Sequence, residues 1–329
     1  MEYRQLGNTE ISVSVMALGC WTFAGDSTWG EQTEKDSIDT VHAAMDEGIN
    51  FFDTAEMYGD GLSDEILGKS LKNRRDKAVI SSKALSKHAA SDDIVQSLEN
   101  SLRRIGTDYI DLFQLHWPNA KVPVEETLGA LTKLKQEGKI RAVGFCNIGR
   151  KDLEDWLRHA PCDLVQLPYS LLFRAVEFEI TPFLEEKGIG MLVYSPLLQG
   201  VLTGKFDSAD AVPEGRARTR HFSLHRPKTR HSESGAESET FGAIDSIREI
   251  CESLHQPIAR VSLAWILSRP SVVSLICGAR SPNQIQENAK AVDMVLSPEL
   301  VEQLTEATEE LKKKLGRSVD LWQSDSRIR

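Results

Sequence analysis

The chain has 329 residues, a length that allows two ordinary domains or one large α/β barrel. With 22 Gly, 12 Pro, 40% hydrophobic and 27% charged residues, collagen-like and low-complexity classes are excluded. The net charge of −10 argues against non-specific nucleic-acid binding and against docking on anionic lipid. Five cysteines form no CxxC or CxH spacing, and their odd number fits a reduced compartment. Residues 1–10 carry no basic or apolar leader, and no apolar run reaches the ~18 residues of a membrane span. The expectation is a cytoplasmic protein.

Tyr3–Leu6 and Ile11–Ser14 alternate around Gly7-Asn8, which predicts a small hairpin. One pattern then recurs, a short apolar run followed by a stretch of helical periodicity. The predicted strands are Val15–Leu18, Phe51–Thr54, Ala78–Ser82, Ile110–Leu115, Ile140–Phe145, Leu164–Leu167, Gly190–Tyr194 and Val273–Cys277. The predicted helices are 33–47, 63–72, 91–105, 125–137, 150–158, 176–187, 240–255 and 282–291. Such alternation implies parallel strands joined by crossovers. Eight units point to a closed (β/α)8 barrel, with an open doubly wound sheet as the competitor. The G-x-G-x-x-G fingerprint that would favour the open sheet is absent. Residues 206–239 are polar and without period. Residues 297–315 read as an additional C-terminal helix capped by Ser297, and 316–329 as a loose strap. No linker divides the chain, so residues 1–329 are expected to form one domain.

In a barrel, chemistry gathers at the C-terminal ends of the strands. Here those ends carry Asp53, Lys83, His116, Cys146-Asn147, Gln166 and Tyr194-Ser195. Convergence at one rim is informative because buried polar groups are costly unless paired. Tyr58, just beyond Asp53, can return over the same rim. A free phenol has a pKa near ~10, and an ammonium beside it lowers that value. Lys83 is the expected source of that ammonium, held charged by Asp53, while His116 donates a hydrogen bond to a substrate oxygen. The set makes a proton donor for a carbonyl.

The residues also carry a resemblance. The ordered motifs are Asp53-Thr54-Ala55, Tyr58-Gly59, Gly61-Leu62-Ser63-Asp64-Glu65, Lys83, Asp108-Tyr109-Ile110-Asp111-Leu112 and His116-Trp117-Pro118. They continue with Gly138-Lys139-Ile140-Arg141, Gln166 with Tyr169, Tyr194-Ser195-Pro196-Leu197, Gly200, Leu202-Thr203-Gly204-Lys205 and Gly278-Ala279-Arg280. From about residue 3 to about 312 the chain resembles the aldo-keto reductases, (β/α)8 barrels that use NADP(H) or NAD(H). The resemblance implies a catalytic tetrad of Asp53, Tyr58, Lys83 and His116, with Tyr58 as general acid in reduction and base in oxidation. It implies Cys146, Asn147 and Gln166 near the nicotinamide carboxamide and Tyr194 stacked on the ring. Ser195, Leu197, Gly200 and Lys205 fall at the pyrophosphate. Gly278, Arg280, Gln284, Glu287 and Asn288 fall at the adenosine end. A guanidinium suits a 2′-phosphate, which favours NADP(H), although Arg280 could instead lie over the adenine. Cys146 stands where the family has Ser, a weaker hydrogen-bond partner that is either oxidation-sensitive or simply packed. Asp64 for Glu, Ser170 for Asn, Cys277 for Pro and Gly278 for Lys are the other departures.

Residues 216–231 hold six Arg or Lys, three His and no acid. They read either as a cover that meets phosphates or an anionic substrate, with Arg218 foremost as a cofactor contact, or as a solvated insertion. Trp21, Met57 and Trp117 read as pocket walls, with core packing as the alternative. The expected function is reversible hydride transfer between NADP(H) and a small aldehyde, ketone or sugar. The alternatives are an NAD-dependent sugar or polyol dehydrogenase and a non-catalytic nicotinamide-sensing subunit. No metal, nucleic acid or membrane is expected to take part.

Overall fold

The structure, a computed structural model, describes residues 1–325 and 328–329. Strands β1 (Tyr3–Gln5) and β2 (Ser12–Ser14) form the antiparallel hairpin. Eight parallel strands follow: β3 (Met16–Gly19), β4 (Phe51–Asp53), β5 (Val79–Ala84), β6 (Ile110–Leu115), β7 (Ile140–Cys146), β8 (Leu164–Pro168), β9 (Gly190–Tyr194) and β10 (Val272–Gly278). They pair in sequence order, and β10 closes on β3. The eight predicted strands are these eight, with ends that move by one or two residues. The closed circle decides between barrel and open sheet.

The hairpin determines which end of the barrel can hold a site. Leu6, Ile11 and Val13 pack against Ala17, Phe51, Val79, Leu112, Ala142, Leu164, Leu192 and Ile276 from the barrel strands. This apolar plug closes the N-terminal mouth. Gly7, at φ +56°, lies so close to the Asp163 carbonyl that a Cβ would come within 1.7 Å of its oxygen. Any side chain there would push the plug out. The C-terminal rim is the mouth left open for polar chemistry.

The barrel is wrapped by α1 (Glu34–Asp46), α2 (Leu62–Ser70), α3 (Ser91–Ile105), α4 (Val124–Gln136), α5 (Arg150–Leu157), α6 (Val176–Lys187), α7 (Glu237–Ser253), α8 (Ile258–Leu267) and α9 (Pro282–Ala289). In α3, Ile94, Leu98, Leu102 and Ile105 lie at helical spacing and are buried, and Gly106 in the left-handed conformation ends the helix. Helix α8 is absent from the sequence reading. Its residues IARVSLAWIL are buried nearly all round, so no polar face marks the period.

The expected single helix over 297–315 is two, α10 (Pro298–Glu306) and α11 (Glu309–Leu315). The buried Arg174 bonds the Thr305 carbonyl and the Thr308 hydroxyl at the break between them. Residues 206–239 are largely packed rather than a solvated insertion. Arg220 donates to the carbonyls of Leu315, Ser318 and Asp320 and pairs with Glu233. These bonds tie the loop to the C-terminal strap. The strap predicted over 316–329 includes positions 326 and 327, which lie outside the described residues. Among the described residues, no helix is long and apolar enough to cross a membrane.

Candidate active site

A cavity of about 750 Å³ opens at the C-terminal rim. Asp53 ends β4, Lys83 lies on β5 and His116 follows β6, so neighbouring strands present the three side by side. Lys83 is fully buried, and its Nζ donates to Asp53 Oδ1 at 2.6 Å and to the Thr54 carbonyl at 2.8 Å. The other Asp53 oxygen accepts from Ser81 Oγ at 2.9 Å and from Gln166 Nε2 at 3.3 Å. Gln114 donates to Ser81 Oγ and to Gln166 Oε1, both at 2.9 Å, and closes the network. Three donors meet the carboxylate and two acceptors meet the ammonium, which supports the buried ion pair and leaves one Lys83 N–H beyond these two bonds.

Tyr58 enters from the loop after β4 on a turn in which Gly59 and Asp60 are left-handed. Lys83 Nζ lies 5.3 Å from the centre of the Tyr58 ring. The His116 ring stands edge-on to Tyr58 at 6.0 Å and stacks on Trp117 at 4.2 Å. Burial pushes the Tyr58 phenol well above its usual pKa, and Asp53 pushes it further in the same direction. The expected lowering by Lys83 is not found. Asp53 neutralises that ammonium, so the ion pair offers Tyr58 little net charge and burial decides. The result is a phenol held protonated.

Asn147 follows β7 in a left-handed conformation. Its Oδ1 accepts from the Tyr194 hydroxyl at 2.6 Å, and its Nδ2 donates to the His116 carbonyl at 3.0 Å and to Cys146 Sγ at 3.2 Å. Burial raises the Cys146 thiol far above its usual value, so it is a packed thiol rather than a reactive one. After β9, Ser195, Leu198, Gln199 and Gly200 all take positive φ. For each non-glycine residue this costs about 1 kcal/mol or more. A Cβ on Gly200 would point at Arg216 Nη1 and Lys205 Nζ, each 3.7 Å away. Lys205, Arg216 and Arg280 face this turn without an ion pair to any carboxylate among the described residues. Burial and the mutual repulsion of the three cations lower the pKa of Lys205.

The comparisons with known proteins agree with this geometry. The family model described as "Aldo/keto reductase family" matches residues 15–309. The NADH-specific methylglyoxal reductase of Escherichia coli is 34% identical over 330 residues, covering 92% of this chain and 98% of its own. A probable voltage-gated potassium channel subunit beta of Oryza sativa is 33% identical over 338 residues, covering 97% and 99%. The crystal structure of an aldo-keto reductase from Klebsiella pneumoniae in complex with NADPH has a TM-score of 0.73 and 28% identity, covering 93% and 95%. The chain belongs to the aldo/keto reductase family.

The reductase's cavity brings together nearly every residue singled out from the sequence. Asp53, Tyr58, Lys83 and His116 line it with Cys146, Asn147, Gln166, Tyr194, Ser195, Leu197, Gly200, Lys205 and Arg218. Gly278, Arg280, Gln284 and Asn288 line its far end, and Trp21, Met57 and Trp117 its wall. Glu287 is the exception. Its carboxylate turns away to Lys290 at 2.5 Å and Arg260 at 3.5 Å. It stands one position before Asn288, a turn of about 100° along the helix that carries its carboxylate to the outer face. Arg280 is clasped by the opposite loop, donating to the Glu31 carbonyl and to Gln32 Oε1, while Gln32 donates back to the Arg280 carbonyl.

Several lining residues escaped the sequence reading. Asp26 and Trp29 come from the loop after β3, and Asp320, Trp322 and Gln323 from the strap. Ser81 and Gln114, which hold the network inside the barrel, are strand residues whose polarity within apolar runs was their only signal. Trp322 follows a stretch without periodicity, so nothing local assigns it to the rim.

Proposed function

We propose that this protein reduces small aldehydes, ketones or sugars with NADP(H), and that Tyr58 delivers the proton to the substrate oxygen. The observation that carries the reading is the Tyr58 phenol lining a closed-bottomed cavity, beside the buried Lys83–Asp53 pair and the His116 ring. NADP(H), when bound, supplies or accepts the hydride. Tyr58 Oη donates its proton to the carbonyl oxygen, and His116 orients that oxygen by a hydrogen bond. The Lys83 N–H not used by Asp53 and the Thr54 carbonyl would donate to the Tyr58 oxygen as its proton leaves, and Asp53 with Ser81, Gln114 and Gln166 keeps Lys83 in place. Oxidation of an alcohol uses the same groups with the proton moving back to Tyr58.

The residues present fit the dinucleotide. The left-handed turn 195–200 and the cations Lys205, Arg216 and Arg280, which form no ion pair among the described residues, make an anion-binding cradle that a side chain on Gly200 would enter. Buried Gln199 amide atoms and Arg216 Nε have no hydrogen-bond partner among the described residues, as expected of a site built for a ligand. Tyr194 and Asn147 would hold the nicotinamide, and Gln284, Asn288 and Arg280 the adenosine end. In that arrangement Gln166 serves Asp53 as much as the carboxamide.

The test is a side-by-side fluorescence titration with NADPH and NADH, followed by consumption of the tighter cofactor with a panel of aldehydes. Tight NADPH binding and turnover of aldehydes are expected. The E. coli relative is named for NADH, so tighter NADH binding would move the reading to an NAD enzyme working on sugars or polyols. Cofactor binding without turnover of any carbonyl or alcohol would favour the sensing role suggested by the similarity to channel subunits.

A further inference from the structure

The cations around the cavity fall into two sets. Lys205, Arg216 and Arg280 act on one another at the turn 195–200. Arg218 belongs elsewhere, since the charges that act on it are Asp26 and Arg230. Its guanidinium lies between two indoles, 5.2 Å from the centre of Trp21 and 5.0 Å from that of Trp322. The two indoles meet nearly edge-on at 6.5 Å. Trp21 in turn stacks on Tyr58 at 6.0 Å with 18° between the planes. Trp322 Nε1 donates to the Tyr194 hydroxyl at 3.3 Å. This aromatic cage thus touches the proton donor on one side and the Tyr194 platform on the other.

The cage is fixed, and Asp26, the carboxylate whose charge acts on Arg218, makes no close ion pair with it. Asp26 accepts from Trp21 Nε1 at 3.3 Å and from the Thr28 and Trp29 amides, so its carboxylate is committed to orienting the indole. Arg218 has no ion pair within 4.0 Å among the described residues, and its Nε is buried without a hydrogen-bond partner. Arg230 lines the same cavity and adds a second positive charge. Two residues away, Arg220 is engaged by Glu233 and three carbonyls. A planar guanidinium with free donors, clamped between ring faces, matches an oxoanion by bidentate hydrogen bonding.

We propose that Arg218, framed by Trp21 and Trp322 and supported by Arg230, binds an oxoanion on the substrate, so that short aldehydes or ketones bearing a carboxylate or a phosphate are the preferred class. The inference rests on Tyr58 being the proton donor, because the cage is placed by its stacking on that residue. It moves Arg218 from the cofactor contacts expected from the sequence to the substrate side.

The experiment compares kcat/KM for 4-oxobutanoate with butanal, and for glyceraldehyde 3-phosphate with glyceraldehyde, at saturating cofactor. One anionic member should exceed its neutral partner by about tenfold or more, chiefly through KM, the scale of a charge-assisted hydrogen bond. Which pair carries the preference identifies carboxylate or phosphate. Arg218→Met should bring that ratio close to one, and Arg218→Lys should restore part of it. In parallel, succinate and glycerol 3-phosphate are titrated into the protein saturated with oxidised cofactor, read by tryptophan fluorescence. One of them should bind about tenfold more weakly to Arg218→Met. Equal ratios in the wild type and Arg218→Met would overturn the inference, as would weaker NADPH binding with both members of a pair losing equally. Turnover of butanal with a flat ratio leaves the reductase reading standing and removes only the oxoanion site. If no aldehyde is turned over, the reductase reading fails and the anion titration alone decides the site.

Discussion

Two buried ionic clusters in this molecule look alike and do different things. One is Asp53–Lys83 with Tyr58 at the rim. The other lies outside the barrel, where Glu177 accepts from Arg174 at 2.7 Å, from Lys312 at 2.8 Å and from the Tyr169 hydroxyl at 2.7 Å. Both contain a carboxylate, a lysine and a tyrosine, and burial raises both phenols well above their usual pKa. The difference is where the tyrosine proton points. Tyr169 donates its hydrogen bond to Glu177, while Tyr58 lines an open cavity. A perturbed pKa is therefore no sign of function by itself. A perturbed group that faces a cavity, with its charged neighbours already satisfied, is a sign.

The largest expected effect separates the two tyrosines. Tyr58→Phe should lower carbonyl turnover by about 10³-fold, within the range of general acid catalysis, and leave the melting temperature nearly unchanged. Tyr169→Phe should do the reverse, with normal turnover and a loss of about 1 kcal/mol from its hydrogen bond to Glu177. Denaturant melts and initial rates on both variants decide it, and comparable rates in the two would erase the distinction. Because the Tyr58 phenol stays protonated, the reduction rate should also be flat from about pH 6 to about pH 9. A fall in kcat centred near neutrality would show that another group is the acid.

Glu177 comes next. Burial alone would raise its pKa, but Arg174, Lys312 and Tyr169 overcome that and hold the carboxyl at about 2. A depressed carboxyl stabilises the fold above its unfolded pKa and loses that contribution as the pH falls. The cluster should therefore supply about 2–3 kcal/mol at pH 7, lost between about pH 5 and pH 2. Glu177→Gln should remove that acid-sensitive part and leave turnover per folded molecule intact. An unaltered acid limb in its urea melts would mean that the pair contributes nothing.

The fold was legible because each strand of the barrel is a short apolar run between helices of clear period, and because polar residues end those runs at one rim. Asp53, Lys83 and His116 could be read as one site for that reason. What could not be read has two causes, segments without a periodic signal of their own and contacts between segments far apart in the chain. Helix α8 is apolar on every side and so has no phase. Trp322 reaches the rim only because Arg220 anchors the strap, a pairing across about a hundred residues. Glu287 lies within the motif by spacing but on the outer face by helical geometry. The direction of the Tyr58 shift needed the knowledge that Asp53 already cancels Lys83.

Arg280→Ala tests the adenosine end of the cradle. A guanidinium matched to the 2′-phosphate should weaken NADPH by about tenfold on removal, about 1.4 kcal/mol, and change NADH little. Here the clasp to Glu31 and Gln32 offers a competing role, closing the loop over the cofactor. Equal weakening of both cofactors would assign Arg280 to that clasp.

The smallest effect concerns Asp64, the carboxyl that supports the rim from behind. It accepts from Thr54 Oγ1 at 2.8 Å, and the Thr54 carbonyl accepts from Lys83. Burial raises it to about 6, opposed by the hydrogen bond from Thr54 and by the Arg104 guanidinium. Arg104 Nη1 is 3.8 Å from Asp64 Oδ2, too far for a close pair. The sign is opposite to that of Glu177. A carboxyl raised in the folded state binds its proton more tightly there, so its contribution is full below about pH 4 and declines as the pH rises to about 6. The wild type should lose about 2–3 kcal/mol from this group across that interval. Asp64→Asn keeps the shape, carries no proton equilibrium and should lack the decline, ending about 1 kcal/mol more stable at pH 7 once the lost attraction to Arg104 is counted. Urea melts of both proteins at pH 4, 5, 6 and 7 give the comparison directly. Parallel slopes would place the Asp64 proton equilibrium outside this interval and leave Arg104 as its full counter-charge.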